Sequence, residues 1–267
     1  LSCSQVAIVE TEDGVEEALS RALELIQNVD DLNRGDRPVV VKVGVFDHKG
    51  PRATYPTVDV VGAIVNSFNM APKIYLAESD NYRGPALERL QIWQSLFDER
   101  VVPFSLSDDE DTKEVKIADE TMKFSHILFE PNTFVSTHAL RRYEKGTILK
   151  NLFGLVPDKK KARFHKNLDP VLLDAYEAIG GIDLSVIDAT RTYSGPAAKE
   201  AITTNLLVVG RDAVAVETIG AFLVGLKPES MSVIQKAVKR GLGEGDMNKI
   251  EVLGTSIDEV KERFAKL

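Results

Sequence analysis

Val39-Val40-Val41-Lys42-Val43-Gly44-Val45 is the stretch on which the fold turns. It follows Arg37-Pro38 and gives way to a polar Gly/Pro loop over residues 47–56. A strand with one wet face alternates apolar and polar residues, whereas a near-continuous apolar run belongs to a strand covered on both faces, as in a parallel sheet. Only Lys42 interrupts the apolar character before Gly44. Outward from this run, residues 58–68 read as a helix and 73–77 as a second buried strand, ending in Glu78-Ser79-Asp80. Toward the N-terminus, residues 5–9 read as a short strand and 15–26 as an amphipathic helix, with Val15, Ala18, Leu19, Ala22, Leu25 and Ile26 at helical spacing. Strand, helix and strand alternate, so the expectation is an α/β fold: a mainly parallel sheet flanked by helices and joined by right-handed crossovers. Ligands of such sheets gather beyond the carboxyl ends of the strands. That rule points to the 44–56 loop and to Glu78-Ser79-Asp80.

The same alternation runs through the rest of the chain. Residues 84–97 read as a helix, and an acidic, Ser-containing turn over 105–114 separates short strands at about 101–104 and 115–118. A further strand is expected at 127–130, a helix at 170–179 stopped by Gly180-Gly181, and strands at 184–188 and 205–209. Helices follow at 213–224 and 228–240, the latter with Gly241 as its C′ residue. A last strand at 250–253 and a helix at 257–267 complete the chain. There is no internal repeat and no low-complexity linker, so the organisation expected is one interleaved α/β unit over 1–267 with a smaller lobe around 100–170.

At 267 residues, with 43% apolar and 28% charged residues, the chain can bury a substantial core. Its net charge of −8 disfavours nucleic acid or an anionic membrane as the bulk partner. Residues 138–166 are nevertheless locally basic within this acidic whole. No apolar run reaches the roughly 18 residues of a membrane span. Leu1-Ser2-Cys3-Ser4 lacks an initiator Met and a cationic signal segment, and reads as a processed end; cytoplasm is the expected compartment. A single cysteine, Cys3, excludes an intrachain disulfide and a Cys-ligated iron–sulfur cluster held by this chain.

The most unusual local order is Lys150-Asn151-Leu152-Phe153-Gly154-Leu155-Val156-Pro157, trailed by Arg163 and His165. A helical beginning is broken by Gly154 and Pro157, and a basic loop follows. Thr137-His138 lies upstream; Val186-Ile187-Asp188-Ala189, Gly210-Arg211-Asp212-Ala213-Val214-Ala215 and Gly241-Leu242-Gly243 lie downstream. Together these motifs resemble the family known as domain of unknown function 362, over roughly Pro38 to Gly254. The chemistry of that family is largely unknown. Many of its members carry a ferredoxin-like iron–sulfur module, which this chain lacks, so the resemblance implies an iron–sulfur protein as a partner. Two positions depart from the family pattern. Lys42 is followed by Val43-Gly44 where Pro-Asn is usual, and Glu217 stands where an Asp is common.

Against that resemblance, His138 is the candidate general acid/base, with ligand or cationic clamp as its other readings. Lys150 and Asn151 follow Ile148-Leu149 and should face inward, and a buried ammonium requires an anion, from ligand or protein. Asp188 ends a buried strand and is the candidate carboxylate for orienting His138 or accepting a proton. Lys42, Asn151, Arg163 and His165 are candidate ligand-binding groups; Gly195, in Ser194-Gly195-Pro196, is a candidate source of a backbone N–H for an anion. Asp212 and Glu217 are candidate ligands for a divalent metal. Their competing readings are a helix N-cap for Asp212 and buried polar packing for Glu217. Lys159-Lys160-Lys161 reads as a solvated loop or lid, and His48 and His126 as structural. Neither a zinc signature nor a Walker or dinucleotide fingerprint is present.

The leading functional expectation is an enzyme acting on a small anionic metabolite, a carboxylate or phosphate, through a His/Lys/carboxylate pocket, with the reaction type undetermined among proton transfer, dehydration and isomerisation. The alternative is a non-catalytic ligand- or partner-binding subunit of an iron–sulfur redox system. The enzyme reading requires His138, Lys150 and His165 to converge on one ligand-sized space.

Overall fold

The computed structural model describes residues 3–27, 29–49, 54–195 and 201–267. The strands are β1 (Ser4–Glu10), β2 (Val39–Val43), β3 (Ile74–Glu78), β4 (Val101–Ser105), β5 (Thr112–Ile117), β6 (Glu120–Ser125), β7 (Thr133–Arg141), β8 (Leu184–Tyr193), β9 (Ala201–Gly210) and β10 (Ile250–Gly254). Eight of them form one sheet in the order β10-β1-β9-β8-β7-β2-β3-β4, and β5 and β6 pair as a separate antiparallel ribbon. Within the large sheet only β9 runs against its neighbours. The fold is therefore α/β with a mostly parallel central sheet, as the Val39–Val45 run predicts.

Helices cover both faces. On one, α1 (Val15–Leu25) and α2 (Val58–Ser67) bury Leu19, Val60, Val61 and Ile64 against Val39, Val41, Val135 and Val186. On the other, α4 (Ile148–Asn151), α5 (Leu168–Ala178), α6 (Ala213–Leu223) and α7 (Ser232–Lys239) pack on Val40, Phe134, Leu140 and Ile187. Two short helices complete the set, α3 (Ala86–Leu90) after β3 and α8 (Ile257–Val260) near the C-terminus. The β5–β6 ribbon adds Ile117, Met122 and Phe124 to the second core. No helix of the described residues is long and apolar enough to cross a membrane.

From β2 the chain moves outward through β3 and β4, then returns to place β7 on the other side of β2 and β8 beyond it. Chain direction across the sheet thus reverses between β2 and β7. The helix after β2 goes to one face and the helix after β7 to the other, so the carboxyl ends of these two strands part and leave a crevice. It is here that Lys42 and His138 lie, one residue before the end of β2 and three before the end of β7.

The strand expected at 127–130 is instead a short 3₁₀ turn, His126–Leu128, and the strand lies just beyond it as β7. Ser136, Thr137 and His138 break the apolar pattern of β7, yet every residue of that strand is buried.

Candidate functional site

The floor of the crevice is a buried polar cluster centred on Lys42. Its ammonium donates to Glu78 Oε2 at 3.0 Å, to Asn151 Oδ1 at 3.0 Å and to the Val43 carbonyl at 3.3 Å. Three acceptors match the three protons of an ammonium. Asn151 Nδ2 in turn donates to Lys42 O, Ser136 Oγ and Thr137 O at 2.8, 3.0 and 3.1 Å, tying α4 to β2 and β7. Burial alone would raise the Glu78 pKa, but Lys42, Arg89 and Lys161 outweigh it and hold the carboxylate below its usual range. Arg89, fully buried, also donates to the carbonyls of Val45 and Ser79, clamping the ends of β2 and β3 together.

The short helix α4 presents both Lys150 and Asn151, and its own N-cap residue, Thr147, supplies no side-chain cap. Glu217 of α6 does so from across the core. Its carboxylate accepts from Thr147 N at 2.8 Å and, through Oε2, from Leu149 N at 2.8 Å. A negative charge at a helix N-terminus is favourable both as acceptor and against the helix dipole. Gly146, at φ 93°, passes directly over this carboxylate, and a Cβ there would lie 2.8 Å from Glu217 Oε2.

His138 is buried, and its Nδ1 lies 2.9 Å from the Ala139 carbonyl. A carbonyl only accepts, so Nδ1 carries the proton and Nε2, without a partner among the described residues, is the acceptor. Burial, then the positive charges of Arg141, Lys42 and Lys150, hold the His138 pKa well below its ordinary value, leaving the ring neutral. The ring rests on Gly44, where a Cβ would come within 1.9 Å of His138 Cδ2.

Above this floor lies a cavity of about 260 Å³ lined by His138, Lys150 and His165 together with Lys42, Asn151, Glu78, Arg141, Lys159 and Lys161. The three residues required to converge do share one space. Five Lys and Arg side chains face a single carboxylate, Glu78, among the described lining residues of a chain whose net charge is −8. Lys159 reaches Asp80 at 2.8 Å, and Lys161 donates to Ser79 Oγ and the Val156 carbonyl. Lys161 is therefore buried in the cavity wall and not part of a solvated loop, and burial lowers its pKa to about 8. His165 sits at the exposed rim, its ring 5.1 Å from that of Phe153, with Nδ1 against the Ala162 carbonyl.

Two basic side chains stand apart. Arg141, at the end of β7, is only 6% exposed, has a buried Nε without a partner, and stacks on Tyr143. Burial lowers its pKa to about 10. Lys150 lies with Nζ 4.1 Å from the centroid of the Phe153 ring. Neither side chain meets a hydrogen-bond acceptor or a carboxylate among the described residues. Burial, followed by the charges of Arg141 and Lys161, pulls the Lys150 pKa well below the ordinary lysine value.

The other candidates lie elsewhere. Asp188 points to the opposite face of the sheet from His138, as the alternation of β8 requires. There it accepts from Thr57 N, at the start of α2, and from Thr190 N and Oγ1. Asp212 caps α6 through Val214 N and Ala215 N, and its second oxygen accepts from Ser4 Oγ and Glu244 N. With the Asp212 and Glu217 oxygens engaged by protein donors, no group of three or more His, Cys, Asp or Glu among the described residues is placed to hold a metal ion. Arg163 is exposed and paired with Asp158 and Glu120, outside the cavity. Gly195 is also outside the lining, with nothing within 4 Å of a Cβ built on it. Sequence reasoning missed Arg141 as a lining residue. Its signal was its place at the carboxyl end of β7, readable only once that strand is recognised.

Fold and cavity together define a class: an α/β protein, its sheet covered on both faces, with a cationic crevice at the point where strand order reverses. A family model described as Domain of unknown function (DUF362) matches residues 39–222, more than half of the chain, and the chain belongs to that family. No curated protein matches it.

Proposed function

We propose that the protein is an enzyme acting on a small anionic metabolite, a carboxylate or a phosphate, bound in the crevice between β2 and β7. The observation that supports this most directly is Arg141, a buried guanidinium without an acceptor or counter-charge among the described residues, in a cavity that also holds Lys42, Lys150, Lys159 and Lys161. Buried charge without a counter-charge costs several kcal/mol, and a bound anion removes that cost. Arg141, with a planar fork of donors, suits two oxygens of a carboxylate or phosphate. His138 acts as the acid/base: a neutral imidazole with a fixed tautomer, its free Nε2 belonging to a ring that lines the same cavity. Proton transfer next to a carbonyl or carboxylate is the reaction type this equipment serves. The Lys42–Glu78–Asn151 cluster takes no proton in this scheme; it holds the crevice walls at fixed separation.

Calorimetric titration with inorganic phosphate and a panel of small hydroxy and oxo acids tests the binding. Saturable binding is expected, weakened at least tenfold in Arg141→Met. Proton NMR in D₂O then follows exchange at carbon-bound positions, expected in the wild type and lost in His138→Gln. Absence of saturable anion binding, or binding indifferent to Arg141, overturns the proposal. Binding without any exchange or turnover favours a non-catalytic binding subunit instead.

A further inference from the structure

Four lysines line the cavity, and three are held in place. Lys42 has Glu78, Asn151 and the Val43 carbonyl; Lys159 has Asp80; Lys161 has Ser79 and the Val156 carbonyl. Lys150 has no acceptor among the described residues. An aromatic ring covers one side of its amine at 4.1 Å. The ring face attracts an ammonium, but no carboxylate or other acceptor pairs it among the described residues and four other Lys and Arg side chains line the same cavity, which favours the neutral amine. A neutral, cavity-facing amine is a nucleophile. If Lys150 served only to bind an anion by charge, the placement would be poor, because Arg141 in the same cavity already offers a permanent charge and a better-shaped set of donors.

We infer that Lys150 is a nucleophile that forms an imine with a carbonyl compound bearing a carboxylate or phosphate, such as an oxo acid or a phosphorylated aldehyde. The inference rests on the anion-binding reading, with Arg141 holding the anionic group while the carbonyl carbon meets Lys150. The Nζ lone pair forms the new C–N bond as the carbonyl π pair moves onto oxygen. One nitrogen proton passes to that oxygen through His138 Nε2, giving the carbinolamine. The nitrogen lone pair then closes the C=N bond as the C–O bond breaks, and the second nitrogen proton follows by the same route. The amine loses two hydrogens and the carbonyl its oxygen, which leave together as one water; no electrons are gained or lost. An imine so formed withdraws electrons from the adjacent carbon, and this is where His138 would act as base.

The test treats the full chain with glyoxylate or with pyridoxal 5′-phosphate, two aldehydes carrying an anionic group, and reduces any imine with borohydride. Peptide mapping by mass spectrometry then locates the secondary amine. Labelling is expected at Lys150 at least tenfold faster than at exposed lysines such as Lys49 or Lys261, slowed by inorganic phosphate, and absent from a folded Lys150→Arg protein. Thermal melting of Lys150→Arg shows whether it is folded; if it is not, protection of wild-type Lys150 by phosphate serves as the specificity control. Labelling of Lys150 no faster than of exposed lysines overturns the inference. If phosphate still binds in calorimetry but Lys150 stays unlabelled, imine formation fails and the anion-binding reading stands. If neither binding nor labelling occurs, both fail.

Discussion

Asn151 grips Lys42 at both ends: its side-chain carbonyl accepts from the ammonium at 3.0 Å, and its amide donates to the backbone oxygen of the same residue at 2.8 Å. The two residues lie 109 positions apart in sequence. Removing one partner strands several buried groups at once. Asn151→Leu is therefore expected to lower stability by roughly 3 kcal/mol, since each unsatisfied buried group costs about 1–3 kcal/mol. Urea denaturation measures this, and a loss below about 1 kcal/mol would show that the clasp is not formed.

Glu217 supports the site without lining it. In Glu217→Gln one carboxylate oxygen becomes an NH₂ facing the backbone N–H groups of α4, and the charge at the helix N-terminus is lost. A destabilisation of about 1–3 kcal/mol is expected, with weaker phosphate binding because Lys150 and Asn151 ride on that helix. Unchanged phosphate affinity in a destabilised variant would separate the helix anchor from the site.

Gly44→Ala tests the seat of His138. A methyl group there overlaps the imidazole, so the ring must move, at about 1–3 kcal/mol for overpacking. The aromatic NMR signals of His138 should shift while those of His126, on the far turn, stay in place.

Stability should rise with pH on the alkaline side. The unfolded chain holds the Lys161 proton up to the ordinary lysine value of 10.5, and the folded chain only to about 8. Between those values the unfolded state binds more protons, so stability grows as pH rises through the window and is lost as pH falls through it. Lys150 adds in the same direction. Urea midpoints between pH 8 and 10 should climb in the wild type, less so in Lys161→Met, and less so with phosphate bound. A midpoint that falls across the window in the wild type and not in Lys161→Met contradicts the assignment.

Arg163→Ala should leave phosphate binding unchanged and cost less than about 1 kcal/mol, as befits an exposed ion pair. A tenfold loss of affinity would bring Arg163 into the site after all.

How far the sequence carried these conclusions differs from residue to residue. The Val39–Val45 run determined the parallel sheet because burial on both faces leaves a local mark. The central strand β7 left none: Ser136 and His138 interrupt it for the sake of the polar floor, so the strand that bears the site was the one that pattern reading missed. Lys159, Lys160 and Lys161 have the same local composition, and only the tertiary path of the 3₁₀ segment turns Lys161 inward. Asp212 precedes its helix, as expected, whereas Asp188, expected to end its strand, lies in the middle of the longer β8, and Glu217 lies in the middle of α6. Their partners are backbone N–H groups of other segments, which no spacing within the sequence reveals.

The crevice between β2 and β7 owes its opening to the routing of the main chain: the connections leaving the two strands depart to opposite faces. Its charge belongs to side chains alone. Space and selectivity are therefore separable in this scaffold. Exchanging Arg141, Lys150 or Lys161 for neutral or acidic groups should alter which molecules enter while leaving a hollow of similar size, which makes this strand junction a starting point for redesigning ligand preference without rerouting the backbone.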